Sequence, residues 1–133
     1  MQKMTHEERV EITQRIIAIL DDWGISDGDQ VRLLGFPEGT RTKVIRGYRN
    51  QTPFPEDENV DERIEHIAGI AHALWTSNPR NAGAGAIWMN REHKHFNNRT
   101  PVQAMLEDDL LGIEAVRIHL DCSYDWHVNG QNK

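Results

Sequence analysis

The sequence predicts an all-α fold, a helical bundle, on three observations. Strand signals are poor: β-branched and aromatic residues alternate nowhere for long, and no Asn-Gly turn separates two apolar runs. Apolar residues recur instead at helical spacing along most of the chain. Thr, Ser or Asp precede these runs and Gly or Pro follow them, the usual start and stop chemistry of helices. The 133 residues suit one compact domain or two tightly packed subdomains.

Each helix is then placed in order. Thr5 and Glu8 fit a capping box, with the Thr5 hydroxyl on the Glu8 N–H and the Glu8 carboxylate reaching back. Val10, Ile16, Ile17, Leu20 and Trp23 form an inward stripe that Gly24 ends. Ser26 starts a short second helix carrying Val31, Leu33 and Leu34, ended by Gly35. Thr40 is expected to cap a third, with Val44, Ile45 and Tyr48 inward and Gly47 weakening it by roughly 1 kcal/mol against Ala. Two short helices across a Gly-containing turn make a helix-turn-helix-like pattern.

"NQTPFPEDEN" is a connector. The fourth helix follows, with an apolar stripe of Val60, Ile64, Ile67, Ile70, Ala71, Leu74 and Trp75, and with Asp61, Glu62 and Glu65 near its positive end. Pro79 stops it. "AGAGAIWMNRE" reads as a short helix whose small residues admit a close neighbour while Ile87, Trp88 and Met89 supply bulk. Thr100 is a good N-cap and Pro101 falls at the first helical position, where its missing N–H costs nothing. Asp109 is placed to cap a last helix, in which Leu110, Ile113, Val116, Ile118 and Leu120 recur. Seven helices with short connections are expected. They fall into a helix-turn-helix-like region at 1–76 and a small helical module with a tail at 77–133.

Composition narrows the function. The net charge is −6, so the whole chain is not built for polyanions, yet Gly39 to Pro55 holds Arg41, Lys43, Arg46 and Arg49 and no acid. A single cysteine, Cys122, excludes an internal disulfide. No apolar run nears the ~20 residues that span a bilayer, and the N-terminus lacks a signal-peptide core. A cytoplasmic location is expected. No Gly-rich phosphate loop, Gly-x-Ser-x-Gly elbow or kinase set occurs, so no catalytic residue and no cofactor are assigned and the chain is read as a non-enzyme. His93, His95, His119 and Cys122 are the obvious candidate metal ligands. Without a Cys-x-x-Cys pair or His-Glu-x-x-His, none is assigned to a metal.

"AIWMN", then "HFNNRTPVQAML" and "GIEAVRIHLD", resemble the toxin-binding domain of the Xre/MbcA/ParS-like antitoxins. Trp88, Phe96, Thr100, Pro101, Leu106, Gly112, Val116 and Leu120 match its pattern in order. "WGISDGDQVRLLGFPEGT" resembles the helix-turn-helix half that precedes it. Asn98 stands where the family commonly has Gly; Asn is the next-best residue in the left-handed region. The resemblance implies an antitoxin of a type II toxin–antitoxin system. Its partner would be a RES-domain toxin that degrades NAD, or a related ADP-ribosylating toxin, whose active site it covers. The resemblance also implies repression of its own operon.

Trp88, Phe96, Pro101, Met105, Val116 and Leu120 are read as core of that module, not as contacts. Toxin contacts are assigned to polar residues around the turn, Arg91, His93, Lys94, Asn97 and Arg99, and to Tyr124, Trp126 and His127 in the tail, because exposed Arg, Tyr and Trp commonly carry interface energy. Arg41, Lys43, Arg46 and Arg49 are assigned to DNA phosphates and base edges of an operator; their plain alternative is a basic face paired with the protein's own acids. A homodimer is expected, because helix-turn-helix modules read paired half-sites. The competing function is a helix-turn-helix transcription regulator without a toxin partner.

Overall fold

The computed structural model describes the backbone of residues 4–130 and the side chains of residues 4–122. Every regular element among the described residues is helical, joined by one isolated antiparallel bridge between His93 and Arg99. The chain divides into two compact units, Met1–Ile64 and Glu65–Lys133.

In the first unit, α1 (His6–Asp22) starts on the expected box: Glu8 N–H donates to Thr5 Oγ1 at 3.1 Å and Thr5 N–H to Glu8 Oε1 at 3.3 Å. Its inward face buries Ile16, Ile17 and Leu20, and Trp23 follows them into the core. Thr13 is buried on the same face. Its hydroxyl donates to the Arg9 carbonyl and accepts the Phe54 N–H, which ties the connector to α1. Helix α2 (Asp27–Leu33) is capped by Ser26 and buries Val31, Leu33 and Leu34. Buried Gln30 donates to Asp21 Oδ1 and the Ile25 carbonyl, which satisfies its amide N–H groups inside the core.

Helix α3 (Val44–Arg49) departs from expectation at its start. Thr40 does not cap it: the Thr40 hydroxyl donates to the Pro37 carbonyl at 2.6 Å, and the N-cap is Lys43, which makes no side-chain cap bond. Gly39, at φ 90°, turns the chain there. The helix is then entered through i→i+3 bonds from Val44, Ile45 and Arg46 to the carbonyls of Arg41, Thr42 and Lys43. Ile45 is fully buried, and Tyr48 packs with Phe36 and Phe54 in an aromatic group.

Helix α4 (Glu58–Ser77) spans the division between the units. Asp57 accepts the N–H groups of Asn59 and Val60 and so caps it. Val60, Ile67, Ile70 and Leu74 of the expected stripe are buried, but Trp75 is not: it is 63% exposed. Buried Arg63 donates to the Leu33 carbonyl and to Asn59 Oδ1, which gives its guanidinium N–H groups acceptors within the first unit.

In the second unit, Gly85 of α5 (Ala84–Met89) lies against α4: a Cβ there would stand 3.4 Å from Leu74 Cβ. Met89 is buried, whereas Ile87, expected as packing bulk, is 57% exposed. The chain then makes one 3-10 turn, Lys94–Phe96, followed by Asn97 and Asn98 at φ 60° and 65°. Helix α6 (Pro101–Gly130) opens on a reciprocal cap, Gln103 N–H to Thr100 Oγ1 and Thr100 N–H to Gln103 Oε1. It breaks at Asp109 (φ 56°, ψ −134°), where the sequence places a new helix start. The two segments pack face to face around Ala104, Met105, Ile113 and Val116, all but fully buried.

Candidate functional site

The segment between α5 and α6 is a tight corner. His93 N–H donates to the Arg99 carbonyl and Asn98 N–H to the His93 carbonyl, closing a loop over buried Phe96. Two of the five polar residues assigned to a partner here hold the corner together. Arg99 Nε donates to the Phe96 carbonyl at 3.0 Å, Nη1 to Glu107 at 3.2 Å and Nη2 to Asp108 at 2.9 Å. The hydrogen bond to Asp108 raises the Arg99 guanidinium's proton affinity and holds the Asp108 carboxyl below its usual range. His93 lies half-buried, its Nε2 3.2 Å from the Trp88 carbonyl and its ring 4.8 Å from the Trp88 ring. Arg91, Lys94 and Asn97 are exposed on the outside of the same corner. Tyr124, Trp126 and His127 lie outside the residues whose side chains are described.

The larger feature is one that inward stripes do not reveal. On the second segment of α6, Leu111 is 75% exposed and Ile118 60%, with Ala115 and Cys122 exposed beside them. Ile118 was expected inside and is not. Spacings of four, three and four residues put all four side chains on one side of the helix. The buried set Gly112, Ile113, Val116 and Leu120 takes the opposite side. The segment is therefore apolar on two faces, and a single sequence does not say which one is covered within the chain. Arg117 fixes this segment to α4 within its unit through His66 Nδ1 at 3.1 Å and the Glu65 carbonyl at 3.4 Å, and pairs with Asp121 of its own segment at 3.8 Å.

His119 sits on the inner edge of the corner. Its ring stacks on Trp88 at 6.0 Å and lies 4.3 Å from His95, with Phe96 edge-on at 5.4 Å. Burial, and then the facing imidazoles of His95 and His93, push the His119 imidazole below its ordinary value.

The basic segment of the first unit divides in two. Arg49 is bound on both sides, to Asp21 (2.7 and 2.9 Å) and to Asp27 (2.6 and 3.1 Å). Those hydrogen bonds, Asp21's first, raise the guanidinium's proton affinity and hold both carboxyls below their usual range. Arg49 thus joins α3 to the end of α1 and the start of α2. Arg41, Lys43 and Arg46 are exposed. No helix of the described residues is long and apolar enough to cross a membrane.

Comparison with known proteins finds a match over the same region. Residues 71–121 match the family of the antitoxin Xre/MbcA/ParS C-terminal toxin-binding domain. A curated relative, the "Uncharacterized protein y4oB" of Sinorhizobium fredii (strain NBRC 101917 / NGR234), is 30% identical over 106 residues, which cover 77% of this chain and 76% of the relative. The matched segment runs from the end of α4 through the 3-10 corner and the face bearing Leu111 and Ile118, so the chain belongs to the Xre/MbcA/ParS antitoxins and carries their C-terminal toxin-binding domain.

Proposed function

We propose that this antitoxin acts by occlusion. In the cytoplasm its C-terminal module, residues 77–133, seats on a RES-type, NAD-degrading toxin or a related ADP-ribosylating toxin and closes the toxin's substrate pocket, with no bond made or broken by the antitoxin itself. One observation carries the reading: Leu111, Ala115 and Ile118 form an open apolar face inside the matched toxin-binding segment. Large apolar side chains left in water gain about 1.5–3 kcal/mol each when a partner buries them, which suits them as anchors of an interface. Arg91, Lys94 and Asn97 add a polar rim, and the tail with Tyr124, Trp126 and His127 extends the contact.

The test is co-expression with the adjacent toxin gene. The wild-type chain is expected to restore growth and to co-elute with the toxin on a sizing column. Leu111→Asp combined with Ile118→Asp is expected to leave the chain folded, because both side chains are already in water, and to cut toxin affinity more than about a hundredfold. Retention of full affinity by the double variant sinks the assignment of this face.

A second reading is favoured by the exposure of Arg41, Lys43 and Arg46. As a homodimer, the helix-turn-helix-like region at 1–76 binds operator DNA and represses the operon. A regulator without any toxin partner is the competing function. It predicts tight operator binding and no joint peak with the toxin.

A further inference from the structure

At the corner between α5 and α6, three imidazoles and two aromatic rings meet. His95 lies 4.3 Å from His119, and Trp88 touches His93 at 4.8 Å and stacks on His119 at 6.0 Å. Phe96 stands edge-on to all three histidines. Among the described residues, the elements packed on His119 present no counter-charge to it. Helix α5 offers the Trp88 ring, the 3-10 turn offers His95 and Phe96, and the extended residue before the turn offers His93. In the same corner Arg99 is engaged by Glu107 and Asp108, and on α6 itself Arg117 and Asp121 pair with each other. A protonated His119 would gain from the Trp88 face, but it would lose water and face two further imidazoles.

We propose that this histidine corner is an acid-sensitive latch on the toxin-binding unit. Neutral, His119 lets the 3-10 turn close against the last helix; protonated, it drives the turn away and loosens the grip on the toxin. The latch is a property of the free chain, and only its effect on the grip rests on the function proposed above. The sign follows from linkage. The folded His119 binds its proton more weakly than the unfolded chain, whose imidazole titrates near pH ~6.5. The unfolded chain therefore takes up more protons as pH falls below about 6.5. The stabilising effect is complete above that pH and is lost as pH drops toward the lower folded value.

The experiment follows imidazole NMR signals and thermal unfolding of the full chain from pH 8 to pH 5. His119 is assigned by the signal missing in His119→Phe. Three results are expected. The His119 midpoint lies below about 6.5, the melting temperature falls through that range, and His95→Gln raises the midpoint and shallows the fall. His95 is exposed, so its replacement keeps the fold even if His119→Phe does not. His72→Gln, on an exposed histidine of α4, is expected to change neither. A His119 midpoint at or above about 6.5, or a His95→Gln chain titrating like wild type, overturns the latch. Toxin capture is then compared at about pH 7.5 and 5.5, on either side of the ordinary imidazole value. Weaker capture at the lower pH is expected and equal capture overturns the latch's effect on the grip. No capture at either pH overturns the proposed function while the titration still reports on the latch.

Discussion

Gly112 decides how closely the two segments of α6 meet. A Cβ there would overlap the Ala104 carbonyl oxygen and stand 2.8 Å from its carbon and 3.0 Å from Met105 Cα. Those are backbone atoms of the facing segment, not the end of a flexible side chain, so no rotamer change relieves the clash. Gly112→Ala is expected to lower stability by about 2 kcal/mol or more, read as a drop in the urea midpoint at unchanged slope. Gly69 supplies the contrast. Its Cβ would meet the Arg117 guanidinium at 2.7 Å, and that group can swing away. Gly69→Ala therefore trades one loosened contact against the helix-propensity gain of roughly 1 kcal/mol and should stay near neutral. A Gly112→Ala chain as stable as wild type would mean that the segments do not pack at this distance.

Caps and core faces were the legible part of the elements, because they depend on a few neighbouring residues. Thr5 with Glu8, Ser26 with Asp29, and Thr100 with Gln103 are formed as chemistry and spacing require. The start of α3 was not legible, since Gly39 turns the chain beside Thr40 and the helix opens only at Val44, beyond the reach of the Thr40 hydroxyl as a cap. Nor was the fate of Trp75, Ile87 and Ile118. Periodicity says which residues are apolar, whereas burial depends on which neighbours arrive, and an interaction helix carries apolar residues its own chain does not cover. The internal bonds of the corner were not legible either, because the partners of Arg99 and His93, which are Glu107, Asp108 and the Trp88 carbonyl, are set by the turn. The contrast among caps is measurable. Thr5→Ala and Ser26→Ala should each cost about 1 kcal/mol, while Thr40→Ala, which caps nothing, should lose clearly less in the same denaturation series. Equal losses at all three would restore Thr40 as a cap.

Over the whole molecule, an acidic chain of net charge −6 concentrates positive charge on one short segment, and the structure withdraws Arg49 from it. Operator binding, if this region performs it, must then rest on Arg41, Lys43 and Arg46, with Arg49 acting only through the placement of α3. The two roles separate in salt. Each phosphate contact releases counterions and adds about −0.9 to the slope of log affinity against log salt. Arg46→Ala should therefore weaken operator binding, flatten that slope by about one and leave the melting temperature unchanged. Arg49→Ala should do the reverse: it strips Asp21 and Asp27 of their shared partner, so the melting temperature falls, while the folded fraction keeps the wild-type slope. Gel-shift titrations at several salt concentrations, beside thermal unfolding of the same preparations, make the comparison. If Arg46→Ala leaves affinity untouched at every salt, the exposed cations are a solvated face and the first unit does not bind the operator through them. If Arg49→Ala flattens the slope as well, the carboxylate clamp opens on DNA and Arg49 is a contact after all.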